Sequence, residues 1–334
     1  MRPFSFHRPA TPDEAIALFE AIGEGARFVA GGTTLFDLMK LDIERPRHLI
    51  DVGAIRGLDG IDADGDTLRI GALATMAAVA AHPAVLRDFP VLSESLARAA
   101  SPQLRNMASV GGNLLQRTRC PYFRNGVGGA YPCNKREPGS GCAAVEGLDR
   151  GQAVLGTSAA CNAVSPGDWP VALVAMDALV ELRGPLGQRL LPVEEFYRLP
   201  GDTPHEEFTL RPGEMIAAVV VPKVAAGRAS TYHKIRDRES FSFALASAAV
   251  ALDMEGGRVR RARIALGGVA TKPWRAREAE RLLAGMNLDV ETALDAGRAA
   301  FADARPGRHN AFKPELGARV VADALLIAVE RSRA

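Results

Sequence analysis

All the cysteines of this 334-residue chain lie in one stretch between Leu115 and Val164. They are Cys120, Cys133, Cys142 and Cys161. Four thiolates are the ligand set of one tetrahedral zinc ion or one iron-sulfur cluster. The spacing, C-x12-C-x8-C-x18-C, is neither a paired C-x2-C knuckle nor the compact run of bacterial ferredoxins. It therefore predicts one shared site without identifying the metal.

Two glycine loops are candidates for binding phosphate. The first consists of Ala30, Gly31, Gly32, Thr33, Thr34 and Leu35. It lies between a predicted strand and a predicted helix, where free backbone N–H groups and the helix dipole favour an anion. The second, with Ser109, Gly111, Gly112 and Asn113, has a similar composition. Neither is a Walker A or G-x-G-x-x-G motif, so tight turns without a ligand are the alternative to a shared pyrophosphate site.

The elements that must position these residues differ along the chain. Residues 1–55 predict a small α/β unit, with a helix at 12–22 and strands at 27–30 and 48–52. A strand at 67–70, helices at 75–81 and 91–100 and a polar loop at 101–113 follow. Beyond the cysteines, short strands are predicted at 178–183, 189–191, 207–210 and 215–221. The last third predicts strands at 231–235, 243–252 and 259–266, then helices at 274–284, 290–302 and 314–330.

Composition excludes several classes of function. The 41 Lys and Arg residues nearly balance the 39 Asp and Glu residues, so no global field would attract nucleic acid. No apolar run reaches the roughly 18 residues of a membrane span, and the amino terminus lacks an apolar signal region. We expect a soluble protein that is cytoplasmic by lack of its own signal, or periplasmic if it is exported folded with a signal-bearing partner.

Several ordered motifs resemble the FAD-binding medium subunit of the molybdenum hydroxylases, which include xanthine dehydrogenase, carbon monoxide dehydrogenase and aldehyde oxidoreductases. They are VAGGTTL at 29–35, QLRNMASVGGN at 103–113, DWPVAL at 168–173, KIRDRES at 234–240 and IALGGV at 264–269. The resemblance implies an α+β protein. Its FAD-binding region would have two subdomains, 1–55 and 56–223, followed by a C-terminal domain at 230–334 with a three-stranded antiparallel sheet and helices.

The resemblance also implies roles for single residues. Both glycine loops would hold the FAD pyrophosphate, and Asp168 would contact the ribose or ribityl region. The backbone near Ile216 and the side chain of Lys234 would approach the isoalloxazine. The alternative for Lys234 is a surface lysine at a strand edge.

An insertion at about 115–164 separates this chain from most of the family. Its segments QRTRCPYFR at 116–124 and PCNKREPGSGC at 132–142 look most like the aldehyde oxidoreductase subset, whose insertion binds a [4Fe-4S] cluster. The resemblance therefore implies such a cluster on Cys120, Cys133, Cys142 and Cys161, with zinc, free thiols or disulfides as alternatives. Nearby Arg and Lys side chains would favour the reduced cluster or form a docking patch.

The implied function is electron transfer within a molybdenum-containing aldehyde oxidoreductase. Partners would be a large molybdenum-cofactor subunit and a small [2Fe-2S] subunit, and no residue of this chain would act on the aldehyde. One alternative is the medium subunit of a 4-hydroxybenzoyl-CoA reductase-like enzyme, with electrons flowing the opposite way. Another is a zinc-stabilised nucleotide-binding assembly protein without redox activity.

Overall fold

The amino-terminal part of the fold is a parallel sheet flanked by helices. A computed structural model describes residues 1–126 and 128–333; Val127 of the predicted insertion and Ala334 of the predicted C-terminal domain lie outside the described residues. Strands β1 (Ser5–His7), β2 (Ala26–Val29) and β3 (His48–Asp51) pair in the order β1-β3-β2. Helix α1 (Pro12–Ile22) begins after Thr11, whose hydroxyl accepts a hydrogen bond from Glu14 N and caps the helix. Helix α2 (Leu35–Lys40) follows the first glycine loop.

The second sheet is antiparallel and joins distant parts of the chain. Its strands are β4 (Ile61–Asp62), β5 (Thr67–Gly71), β6 (Leu179–Gly184), β7 (Gly187–Pro192) and β8 (Met215–Pro222). They pair in the order β4-β5-β8-β6-β7. The central strand β8 pairs with β5 on one side and with β6 on the other. This pairing joins strands that are far apart in the sequence.

The chain between β5 and β8 also forms a series of short helices. They are α3 (Met76–Ala81), α4 (Pro83–Asp88), α5 (Pro90–Ala97), α6 (Pro102–Met107), α7 (Val110–Leu114), α8 (Pro121–Arg124), α9 (Ala143–Glu146), α10 (Trp169–Ala175) and α11 (Val193–Phe196). Every residue of α10 is buried. This helix packs between α5 and the third sheet, so its apolar sequence explains how the two parts share a core.

The third sheet forms the carboxyl-terminal part. Strands β9 (Ser230–Ile235), β10 (Ala246–Glu255), β11 (Arg258–Gly267) and β12 (Trp274–Arg275) pair antiparallel in the order β12-β11-β10-β9. Helices α12 (Arg277–Leu283), α13 (Val290–Ala299) and α14 (Lys313–Ser332) cover one face. The predicted α+β class and the antiparallel C-terminal sheet are confirmed, with the two-residue β12 added to the three expected strands.

Three local expectations were wrong. The polar segment 101–113 is two short helices, because Ser101 and Ser109 each cap a helix through a side-chain oxygen. Residues 207–210 form no strand; Phe208 makes only an isolated bridge to Tyr197. The helix expected from 274 begins at Arg277, because Trp274 and Arg275 pair with β11 instead.

No helix among the described residues is both long and apolar enough to cross a lipid bilayer.

Candidate cofactor-binding site

The two glycine loops line one cleft with a cavity volume of about 350 Å³. The predicted residues on its wall are Ala30, Gly31, Gly32, Thr33, Thr34, Leu35, Ser109, Gly112 and Asn113. Gly111 belongs to the second loop but packs behind the wall, where an added Cβ would lie 2.8 Å from Ala72 Cβ. The structure thus brings together the two loops that the sequence predicted to share a ligand.

The first glycine loop requires glycine where it packs against the end of α6, the helix that precedes the second glycine loop. A Cβ on Gly31 would lie 1.9 Å from the carbonyl oxygen of Met107. This oxygen belongs to the backbone, so it could not move aside by a side-chain rotation. Gly32 has φ of +69°, a left-handed conformation that costs other residues free energy. Glycine at these two positions therefore allows the first loop to pack closely against its neighbours.

The two loops offer different groups to a ligand. Among the described residues, the N–H groups of Gly31, Gly32, Thr33 and Thr34 donate to no protein acceptor. In the second loop, by contrast, Gly112 N donates to Ser109 Oγ at 3.2 Å. Free N–H groups suit phosphate oxygens, so the first loop carries the clearer anion site.

Asn113 supplies an acceptor to the cleft. Its Nδ2 donates to Met76 Sδ at 3.4 Å, while its buried Oδ1 has no partner within the described residues. A buried carbonyl oxygen that accepts no hydrogen bond costs folding free energy. A ligand hydroxyl or N–H would satisfy it, and FAD carries both.

Asp168 and Lys234 lie together, but away from the wall of the cleft. Asp168 Oδ2 accepts from Lys234 Nζ at 2.8 Å, and Asp168 Oδ1 accepts from Tyr232 Oη at 2.5 Å. Burial raises the pKa of Asp168, and the contacts with Lys234 and Tyr232 oppose that rise. The Lys234 side chain is 1% exposed, so it is not a surface lysine.

Lys234 also donates to the Arg98 carbonyl at 3.1 Å. That carbonyl is two residues before Ala100, which does line the cleft. Ile216 lies in β8 within the central core and does not line the cleft either. The flavin contacts of Asp168, Ile216 and Lys234 therefore stay predictions.

The four cysteines form one packed group with a shared apolar environment. Cys120, Cys133 and Cys161 are buried and Cys142 packs against them, together with Phe123, Ala144 and Leu38. Cys133 and Cys142 face each other in an isolated antiparallel bridge. The structure thus brings together ligands that lie up to 41 residues apart in sequence.

Hydrogen-bond donors are directed at the sulfur atoms. Gln152 Nε2 donates to Cys120 Sγ and Ala163 N donates to Cys161 Sγ, both at 3.4 Å. A hydrogen bond from Cys161 lowers the pKa of the Cys142 thiol, and the same contact, together with burial, raises the pKa of Cys161. Buried thiolates with N–H donors are typical of iron-sulfur ligation.

A site for a single ion is not preformed. Across residues 1–126 and 128–333, no three or more His, Cys, Asp or Glu side chains make a group that could hold one metal ion. The donor set itself, four thiols in an apolar setting with N–H donors, fits an iron-sulfur cluster.

The cysteine group and the cleft share a wall. Leu38 lines the cleft and also packs in the cysteine group. Arg117 lines the cleft as well, and its guanidinium carbon lies 4.7 Å from the centre of the Phe123 ring inside the cysteine group. One layer of side chains therefore separates the two sites.

Several cations of the insertion form salt bridges with carboxylates from other parts of the chain. Arg117 bonds Glu44 at 2.7 Å and Glu207 at 2.6 Å, and Lys135 pairs with Glu207 at 3.1 Å. Arg119 and Arg124 both pair with Asp37. Three carboxylates therefore face four of these cations, which reduces the positive charge expected around the cysteines without cancelling it. Sequence reasoning missed the acidic partners and Gln152, because none of them lies near its partner in sequence.

Comparisons with known proteins agree with this architecture. Residues 2–224 match the family model described as FAD binding domain in molybdopterin dehydrogenase, and residues 230–328 match the CO dehydrogenase flavoprotein C-terminal domain. The chain is 48% identical to the aldehyde oxidoreductase FAD-binding subunit PaoB of Escherichia coli (strain K12), over 97% of this chain and 98% of that protein.

More distant relatives extend the likeness. The carbon monoxide dehydrogenase medium chain of Afipia carboxidovorans is 30% identical, over 99% of this chain and 97% of that one. A solved structure of carbon monoxide dehydrogenase from Hydrogenophaga pseudoflava superposes with a TM-score of 0.77 at 29% identity, covering 99% of this chain and 98% of that chain. The chain belongs to the family of FAD-binding medium subunits of molybdenum hydroxylases.

Proposed function

We propose that this chain is the FAD- and [4Fe-4S]-binding electron-transfer subunit of a molybdenum-containing aldehyde oxidoreductase. The observation that carries the proposal is the shared wall at Leu38, which lines the cleft and also packs against the group of four cysteines. The 48% identity to an aldehyde oxidoreductase FAD-binding subunit supports the choice of enzyme type.

The cleft residues would hold FAD by complementary groups. The unpaired N–H groups of Gly31, Gly32, Thr33 and Thr34 would bind the pyrophosphate. Ser109 and Asn113 Oδ1 would meet hydroxyl or N–H groups of the cofactor. Asp168, Ile216 and Lys234 are proposed to act near the flavin end, with Lys234 placing a positive charge close to it.

The cysteines would hold the cluster, and the protein would tune it. FAD exchanges one or two electrons and an iron-sulfur cluster exchanges one, so together they connect two-electron chemistry to one-electron carriers. The chain contributes the apolar packing of Phe123 and the N–H donors of Gln152 and Ala163. These groups exclude water from the sulfur atoms and stabilise their negative charge.

Substrate chemistry would occur on a partner. A large molybdenum-cofactor subunit would convert an aldehyde and water to a carboxylic acid, releasing two electrons and two protons. A small [2Fe-2S] subunit would relay the electrons to this chain, which passes them to an external acceptor. We assign no catalytic residue to this chain, since neither site requires an acid, base or nucleophile from it.

The experiment is an anaerobic reduction of the purified complex. Adding an aldehyde should bleach the flavin absorbance and produce the paramagnetic signal of a reduced [4Fe-4S] cluster. Adding an aryl-CoA thioester to the dithionite-reduced complex should leave both unchanged. Reoxidation by the thioester would instead support the 4-hydroxybenzoyl-CoA reductase-like alternative, and a colourless chain containing zinc would support the assembly-protein alternative.

A further inference from the structure

Gln152 lies beside the cysteine group and has no role in the family motifs of the sequence. Its side chain is buried, and its Nε2 donates to Cys120 Sγ at 3.4 Å. It is nine residues before Cys161 and is not itself a possible metal ligand of the thiolate type. What it offers the site is a neutral N–H donor aimed at sulfur.

The chemistry of a metal-bound thiolate determines which end of the amide must face it. Gln152 Oε1 is buried and has no partner within the described residues. Turning the amide over would place the Oε1 lone pairs against Cys120 Sγ. A metal-bound thiolate has no proton and only accepts hydrogen bonds, so it requires the N–H on this side.

Groups of the C-terminal sheet and helices hold Gln152 in place. Its backbone carbonyl accepts from Lys313 Nζ at 2.8 Å and from Asn310 Nδ2 at 3.3 Å. Lys313 Nζ also donates to the Gly268 carbonyl at 2.7 Å, at the end of β11. Lys313 and Asn310 are both buried, so the backbone that carries the amide is fixed from behind.

We infer that Gln152 is a positioning residue for the cluster, whose amide N–H donates to the sulfur of ligated Cys120 and raises the reduction potential. Reduction adds negative charge, and a hydrogen bond to a more negative acceptor is stronger. The donor therefore stabilises the reduced state more than the oxidised state. The inference rests on the proposed function, because it requires the cluster.

The test is a redox titration of the purified complex, followed by electron paramagnetic resonance. In Gln152→Leu, the ratio of reduced to oxidised cluster at a fixed potential should fall roughly tenfold, which is about 59 mV for a one-electron couple. Gln188→Leu is the matched control, since Gln188 lies exposed in β7, and it should leave the ratio unchanged. An unchanged potential in Gln152→Leu would overturn the inference.

A second measurement tests the inference if the Gln152→Leu variant assembles no cluster. Wild-type complex carrying glutamine labelled with nitrogen-15 in the side chain should show a nitrogen coupling to the reduced cluster in pulsed spectra. Absence of that coupling would also overturn the inference. Failure of the proposed function is recognised separately, because this chain, separated from the wild-type complex, would then contain neither iron nor acid-labile sulfide.

Discussion

Gly31 lines the cleft and is the first-loop residue with the closest backbone approach to another segment. It is a glycine because the Met107 carbonyl occupies the space of a side chain, and its neighbour Gly32 adopts positive φ. The sequence predicted that both glycine loops meet one ligand. It could not predict that the carbonyl oxygen of Met107, the last residue of α6, lies against Gly31.

Gly31→Ala should weaken FAD binding. Relieving the clash requires the loop to move away from Met107, which costs about 1–3 kcal/mol and should lower FAD affinity roughly tenfold. The measurement is flavin content and affinity after reconstitution. Gly60→Ala is the control, since an added Cβ there meets nothing within 4 Å. Equal flavin affinity in the two variants would contradict the proposed geometry.

Lys234→Met should destabilise the fold. The substitution leaves Asp168 buried without its ion-pair partner, and breaking such a pair costs about 3–5 kcal/mol. Chemical denaturation measures the loss, and the double variant Asp168→Asn with Lys234→Met should recover part of it. If the double variant loses the sum of the single losses, the two residues are not coupled as described.

At the scale of elements, helix starts were the most predictable feature and tertiary pairing the least. Helix α1 has the predicted bounds because Thr11 and Pro12 are local signals. The same kind of signal at Ser101 and Pro102 was outweighed by the double glycine that follows, so α6 was predicted as a loop. The strand expected at 207–210 failed because its pattern contains no information about an available sheet edge.

The insertion should depend on its cluster for order. Its described helices, α8 and α9, have four residues each, so little regular structure holds it without metal. Removing iron with a chelator should raise hydrogen–deuterium exchange across 115–164. Exchange at residues 30–35 should change less. Removing FAD should instead raise exchange at residues 30–35 more than at residues 115–164. An insertion equally protected with and without iron would contradict the assignment.

Lys313 at the start of α14 should give the fold a pH dependence. Burial lowers its pKa from the usual 10.5 to about 8. Between these values the unfolded chain retains a proton that the folded chain has released, so the free energy of unfolding rises with pH from about 8 to 10.5. At about 1.4 kcal/mol per pKa unit, the rise over these 2.5 units is at most about 3.5 kcal/mol.

Denaturation of wild type and Lys313→Met over this pH range measures the effect as a difference between the two slopes. The variant should have the flatter profile. Parallel profiles would show that the Lys313 ammonium is as stable in the folded chain as in water.

At the scale of the whole molecule, family motifs predicted the architecture where local patterns could not. Contacts such as Arg117 with Glu44 and Glu207 span 73 and 90 residues, and no spacing rule relates them. These contacts tie the amino-terminal part and the second sheet region to the cysteine insertion. The cleft and the cysteine group also share Leu38, which the separate predictions of a flavin site and a cluster did not indicate.

The most direct test of the account is the cofactor content of this chain, isolated from the purified complex. The account predicts one FAD with about four iron and about four acid-labile sulfide per chain, and Cys120→Ser should lower the iron while the FAD cleft is retained. A chain that contains FAD and one zinc, or FAD without metal, would contradict the central claim that a flavin and a [4Fe-4S] cluster lie side by side in this subunit.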